Sequence, residues 1–121
     1  MSDTVRVWPD ELVYLDFFGV EPVRVQKYHE MPEYDPVRYT VERNGISLSF
    51  TVDSLEASVG LQLMSTQTPI FDAGFDGVVD RIEIEHTRAG RRLLIKTADG
   101  LNSIVQVDPE IRLWLQARQI F

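Results

Sequence analysis

Apolar and polar residues alternate most regularly over residues 37–52, on both sides of Asn44-Gly45. Asn-Gly favours the positive φ angles of a two-residue type I′ turn, so the segment predicts a β-hairpin. A two-residue turn sets Val41 opposite Leu48, Tyr39 opposite Phe50 and Val37 opposite Val52. All six then share one face, while Arg38, Thr40, Glu42, Ser47, Ser49 and Thr51 share the other. A slip of one residue would turn an apolar set toward water, so pattern and turn agree.

A second hairpin is expected over 79–97. Ile82, Ile84 and His86 fall on one face, with Glu83, Glu85 and Thr87 on the other. Pairing Ile84 with Leu93 and Ile82 with Ile95 requires a loop of about four residues around Arg88-Ala89-Gly90. Asp99-Gly100 predicts a further turn into a strand at 103–107. The register of that turn pairs Ile95 with Ile104 and Leu94 with Val105, and residues 79–107 become a three-stranded meander.

Residues 12–18 and 23–28 read as strands separated by Gly19-Val20-Glu21-Pro22, and 5–8 as an edge strand stopped by Pro9. Residues 58–64 alternate as a strand. Asp53-Ser54-Leu55-Glu56 before them has the form of a capping box for one helical turn. At the C-terminal end, Asp108-Pro109-Glu110 carries an N-cap residue followed by Pro at the first helical position, which predicts a short helix over 109–119. Ile111, Leu113, Leu115 and Ala117 also alternate as in a strand, and the local cap signal decides for the helix. The expected class is mainly β, with α+β as the alternative. Seven or eight short antiparallel strands would form a sandwich, a half-open barrel or a sheet covered by the C-terminal helix.

The 121 residues suit one domain spanning 1–121, and 44% apolar content supplies a core without disulfides or metal. The absence of cysteine removes disulfides, zinc–thiolate sites and thiol nucleophiles, and fits a cytoplasmic protein. No basic stretch followed by an apolar run marks a secretory signal, and no segment approaches the ~20 apolar residues of a membrane span.

Net charge is −7 and unevenly placed. Residues 1–60 carry a balance of −6, and residues 10–35 hold seven acids against two bases. A field of that sign repels phosphate backbones and attracts basic proteins, so the pattern argues against nucleic acid as a partner.

The most specific local pattern is the stretch from Asp72 to Glu83. Asp72, Asp76, Asp80 and Glu83 fall at positions one, five, nine and twelve of a calcium-loop spacing, with Gly77 at six. The match departs at position three, where Gly74 replaces a liganding side chain, and Glu83 falls in an expected strand. Calcium is the one cofactor the sequence raises, and the competing reading is a Gly-rich turn into a hairpin. Tyr28-His29-Glu30-Met31-Pro32-Glu33-Tyr34-Asp35-Pro36 reads as an exposed loop, its two prolines excluding a regular element. His29 with Glu30, Glu33 and Asp35 offers metal-binding or acid–base chemistry, but its spacing fits no zinc pattern. Acids mixed with tyrosines suit contact with a basic protein better. His86, on the apolar side of its strand, is expected to be a packed or edge residue, and the Glu83–Glu85 pair to be neutralised by Arg81, Arg91, Arg92 and Lys96 across the hairpin.

The nucleophile elbow, phosphate-binding loop and dinucleotide fingerprint are all absent. With two histidines and no cysteine, the catalytic inventory is thin. The sequence therefore favours a non-enzymatic protein-binding module. Its most concrete form is a small acidic bacterial inhibitor of the immunity or antitoxin type that masks a basic effector. The expected contact residues are Asp10, Glu11, Glu30, Glu33, Tyr34 and Asp35. The alternatives are a structural subunit of a larger bacterial or phage complex, and a small-ligand or calcium-binding β-domain.

Overall fold

A computed structural model describes residues 8–66, 68–100, 102–116 and 118–121. Among the described residues, ten strands form two antiparallel sheets, each a simple meander. The first runs β1(Val23–Arg24), β2(Val37–Arg43), β3(Ile46–Asp53), β4(Ser58–Ser65) and β5(Thr68–Phe75). The second runs β6(Val79–Thr87), β7(Gly90–Thr97), β8(Asn102–Gln106), β9(Arg112–Leu115) and β10(Arg118–Gln119). One helix, α1(Glu11–Phe18), precedes them, and a 3-10 turn, Pro32–Tyr34, lies between β1 and β2.

The central hairpin has the register its sequence predicts. Tyr39 pairs with Phe50 and Val41 with Leu48, and all four are buried. Asn44 and Gly45 take φ values of 56° and 79°, the left-handed pair that a type I′ turn needs. Alternating burial places Leu48, Phe50, Leu61 and Leu63 in the core of sheet one, and Ile82, Leu93, Ile95, Val105 and Leu113 in that of sheet two. With Tyr14, Phe17 and Phe18 of α1 they form one hydrophobic cluster.

Residues 12–18, expected as a strand, are helical. Asp10 caps α1 by accepting from the amides of Leu12 (3.0 Å) and Val13 (3.2 Å), and Gly19 closes it in a left-handed conformation. Tyr14, Phe17 and Phe18 recur at the i, i+3, i+4 spacing of a helix face, a period hidden in a nearly continuous apolar run. That face packs on the central hairpin: Phe18 stacks on Tyr39 at 5.3 Å and meets Phe50 at 5.1 Å. Burying each phenylalanine contributes about 1.5–3 kcal/mol.

The expected C-terminal helix is instead strands β9 and β10. Ile111 and Leu113 are buried, and β9 pairs with β8, Val105 opposite Leu113 and Ile104 opposite Trp114. Residues 108–110 form a bend rather than a helix start. A free edge on β8 and a strand-period apolar pattern outweigh a local cap signal. Ala117, part of that alternation, lies outside the described residues.

The β7–β8 register is one residue from the expected one: Leu93 pairs with Val105 and Leu94 with Ile104. This arrangement places Leu93, Ile95 and Val105 together inside. A turn from Thr97 to Gly100, closed by Gly100 N donating to Thr97 O (3.0 Å), replaces a two-residue hairpin. The β6–β7 register is as expected, but through the two-residue turn Arg88-Ala89 rather than four residues.

Residues 23–28 pair with β2 only at Val23 and Arg24. Asp53 caps a turn at 54–57 that does not develop into a helix, and residues 58–64 are a strand as expected. β5 carries Pro69, Asp72 and Gly74, residues that disfavour strands and are tolerated at a sheet edge. The expected edge strand at 5–8 lies outside the described residues except for Trp8. Among the described residues no helix is long and apolar enough to cross a membrane.

Candidate functional site

Five of the six expected contact residues, Asp10, Glu11, Glu33, Tyr34 and Asp35, line one cleft of about 300 Å³. Its walls are the start of α1, strand β2 and the 3-10 turn. The fold makes this gathering because α1 lies over the central hairpin while the 25–36 segment returns along β2. Glu30 is exposed and is not in the cleft wall.

These residues have different duties. Asp10 is the α1 cap. Asp35 accepts from the backbone amides of Tyr28 (2.8 Å) and Lys27 (3.2 Å), fixing the segment's path. Glu11 forms an exposed ion pair with Arg24 at 2.9 Å. Glu33 and Tyr34 are exposed on the 3-10 turn. The cleft is thus lined by four carboxylates against one guanidinium, that of Arg24.

Sequence reasoning missed the cleft's interior. Tyr14 and Tyr39 line it, are 3% and 0% exposed, and have ring centroids 5.5 Å apart. Their hydroxyls are buried with no hydrogen-bond partner among the described residues, and so is Trp8 Nε1 on the same wall. Burial pushes the Tyr39 phenol up to about 12, and the charges of Glu11 and Asp10 add to the rise while Arg24 opposes it. Burial, with the neighbouring Tyr39, also raises Tyr14. Both phenols therefore stay protonated in neutral solution and present acceptor lone pairs and a donor. A buried hydroxyl without a partner costs about 1–3 kcal/mol. Nothing in the sequence marked these tyrosines except their apolar spacing, which reads simply as core.

A second polar cluster lies nearby. Lys27 Nζ bridges Asp53 Oδ2 (2.8 Å) and Glu56 Oε2 (2.9 Å), and Tyr28 OH donates to Asp53 Oδ2 (2.7 Å). Burial opposes ionisation of Asp53, but hydrogen bonds from Lys27, Tyr28 and the Glu56 amide outweigh it and hold the carboxyl below the usual range. The Lys27 ammonium is held protonated well above its usual range by the hydrogen bonds it donates to Asp53 and Glu56.

The calcium-spaced residues do not converge. Asp72 is on β5, Asp76 follows that strand, and Asp80 and Glu83 are on β6, so the stretch spans two strands in different sheets. Glu83 is engaged by Arg81 (2.9 Å) and Lys96 (3.2 Å). Among the described residues no group of three or more His, Asp or Glu is placed to hold a metal ion. His29 is exposed. His86 is also exposed and lies on β6, the edge strand of its sheet, so of the two expected settings, packed or edge, it takes the edge.

No protein-family model matches the sequence. No curated protein matches it either. The fold is similar to that of a chain in the solved contact-dependent growth inhibition toxin–immunity protein complex from Klebsiella pneumoniae 342. The TM-score is 0.75 over 91% of this chain and 95% of that one, at 21% sequence identity. A likeness at that identity is one of fold.

Proposed function

We propose that this chain is a non-enzymatic protein-binding module of the immunity type, which masks a basic effector protein in the cytoplasm. The observation that carries this reading is the acidic cleft, where carboxylates and tyrosines of the 10–35 region meet around buried hydroxyls that lack partners among the described residues. The fold shared with a chain of a toxin–immunity complex supports it. The negative field steers a basic partner to this face, and close contact at the cleft then blocks the partner's own site.

The test is growth protection. The chain is expressed beside the protein encoded immediately upstream of its gene, with and without Glu30→Lys and Glu33→Lys. Protection that is lost on charge reversal, with affinity falling as salt is added, is the expected result. Protection unchanged by both reversals would count against the cleft face. Asp35 is left out of this test because its carboxylate holds the loop.

A second reading, an assembly subunit that pairs through strand edges, draws on β5, which ends its sheet and exposes Ile70 at 45%. Pro69 and Asp72 on that strand blunt it as an edge for pairing. Light scattering that finds stable homo-oligomers without an added partner would favour this second reading.

A further inference from the structure

We infer that the cleft between α1, β2 and the 3-10 turn is a socket for a single arginine side chain of the partner protein. The inference rests on the protein-binding reading above and adds the chemical group that enters. Three observations support it.

The first is size. About 300 Å³ is at the low end for ligand pockets, enough for one long side chain and small for a cofactor. The second is charge: four carboxylates against one guanidinium line the wall, and Arg24 is already paired with Glu11. A cation entering here meets a net negative rim, on which the Glu33 carboxylate is in no ion pair among the described residues. The third is the pair of buried tyrosine hydroxyls without partners among the described residues. Leaving them unpaired in the free protein is costly, and a donor arriving with the partner removes that cost.

Arginine fits these features better than lysine. Its planar fork has five N–H donors, enough to reach two hydroxyl oxygens and a carboxylate together. It also stacks on aromatic faces, and Tyr34, 47% exposed, stands in the cleft wall. Trp8 Nε1, which can only donate, is left for a carbonyl of the incoming backbone. An arginine desolvated in a pocket at the centre of an interface is a usual anchor of binding energy.

The experiment is an NMR titration of the full chain with N-acetyl-arginine methylamide. The lysine analogue and the citrulline analogue, which keeps the shape and removes the charge, are run beside it. The arginine probe is expected to give saturable shifts at the Tyr14 and Tyr39 rings in the millimolar range. The lysine probe should bind at least about threefold more weakly and the citrulline probe give no saturable shift. The double variant Tyr14→Phe/Tyr39→Phe keeps the rings and the core, and its chemical-shift dispersion checks the fold. It should weaken arginine binding roughly tenfold, and Glu33→Gln about threefold.

Absence of a saturable response to the arginine probe overturns the socket, as does equal binding of citrulline, tighter binding of lysine, or unchanged affinity in the double variant. The two readings fail separately. A socket that binds arginine in a chain that gives no growth protection sinks the effector reading alone. Protection that depends on Glu33 with no probe binding sinks the socket alone.

Discussion

Two polar clusters involve the 25–36 segment and use the same residue types, tyrosines with carboxylates and one base, yet they are finished differently. Around Asp53, Lys27, Tyr28, Glu56 and a backbone amide satisfy one another within hydrogen-bonding distance. In the cleft, Tyr14 and Tyr39 have their rings packed and their hydroxyls unpaired among the described residues. Asp35 belongs to the architecture of both, lining the cleft and holding the amides of Lys27 and Tyr28. A closed cluster contributes to folding. An open one leaves polar groups without partners among the described residues, and the proposed recognition of a partner draws on that difference.

The contrast is sharpest in stability. Asp53→Ala should lower the unfolding free energy by about 1.5–3 kcal/mol, because charge-assisted hydrogen bonds are lost from a buried carboxylate. Denaturant titration measures this, and a loss below about 0.5 kcal/mol would erase the distinction between the clusters.

Acid should act through the same residue. The folded Asp53 carboxyl lies below its unfolded value near 3.8, so its contribution is full above that value and is lost as pH falls through the folded one. Wild type should lose stability below about pH 4 more steeply than Asp53→Asn. Parallel curves would mean that the network is not the titrating element. Lys27 has the opposite sign: its contribution is full below its unfolded value near 10.5 and is lost only in strong alkali.

Asp35→Ala, which frees two backbone amides on a partly solvated segment, should cost about 1 kcal/mol. Because it loosens the cleft wall, partner affinity should fall with it. A variant that loses stability but keeps affinity would separate the segment from recognition.

The smallest expected effect is also the most discriminating. Tyr39→Phe removes a hydroxyl that has no partner among the described residues, so stability should stay the same or rise by up to about 1 kcal/mol. A loss of more than about 1 kcal/mol would show that the hydroxyl is already satisfied, by ordered water for instance, and the open cluster would be open no longer.

Much of the first sheet was legible in the chain. Asn44-Gly45 with strict alternation on either side set a register that the fold keeps, because a two-residue turn leaves no freedom to slip. At Asp99-Gly100 the same argument failed by one residue. There both faces of the strand carry apolar residues, so alternation does not penalise a slip, and the inward set of Leu93, Ile95 and Val105 decided instead. The α1 signals, Asp10 and Gly19, were present but masked by a nearly continuous apolar run that fits either period. At residues 109–119 the opposite error arose, where a local helix start was overridden by pairing with β8.

Local chemistry alone determined the β class, the central hairpin, the acidic 10–35 region and five of the residues around the cleft. Turn geometry, alternation and charge are properties of neighbours in the chain, and the chain displays them directly. Only tertiary structure decided that α1 packs on the hairpin, that Asp35 and Asp53 each hold backbone amides of a loop, and that two core tyrosines keep hydroxyls without a partner among the described residues beside a negative rim. Those outcomes depend on which distant groups come within hydrogen-bonding distance once packing is complete, and no local pattern records that distance.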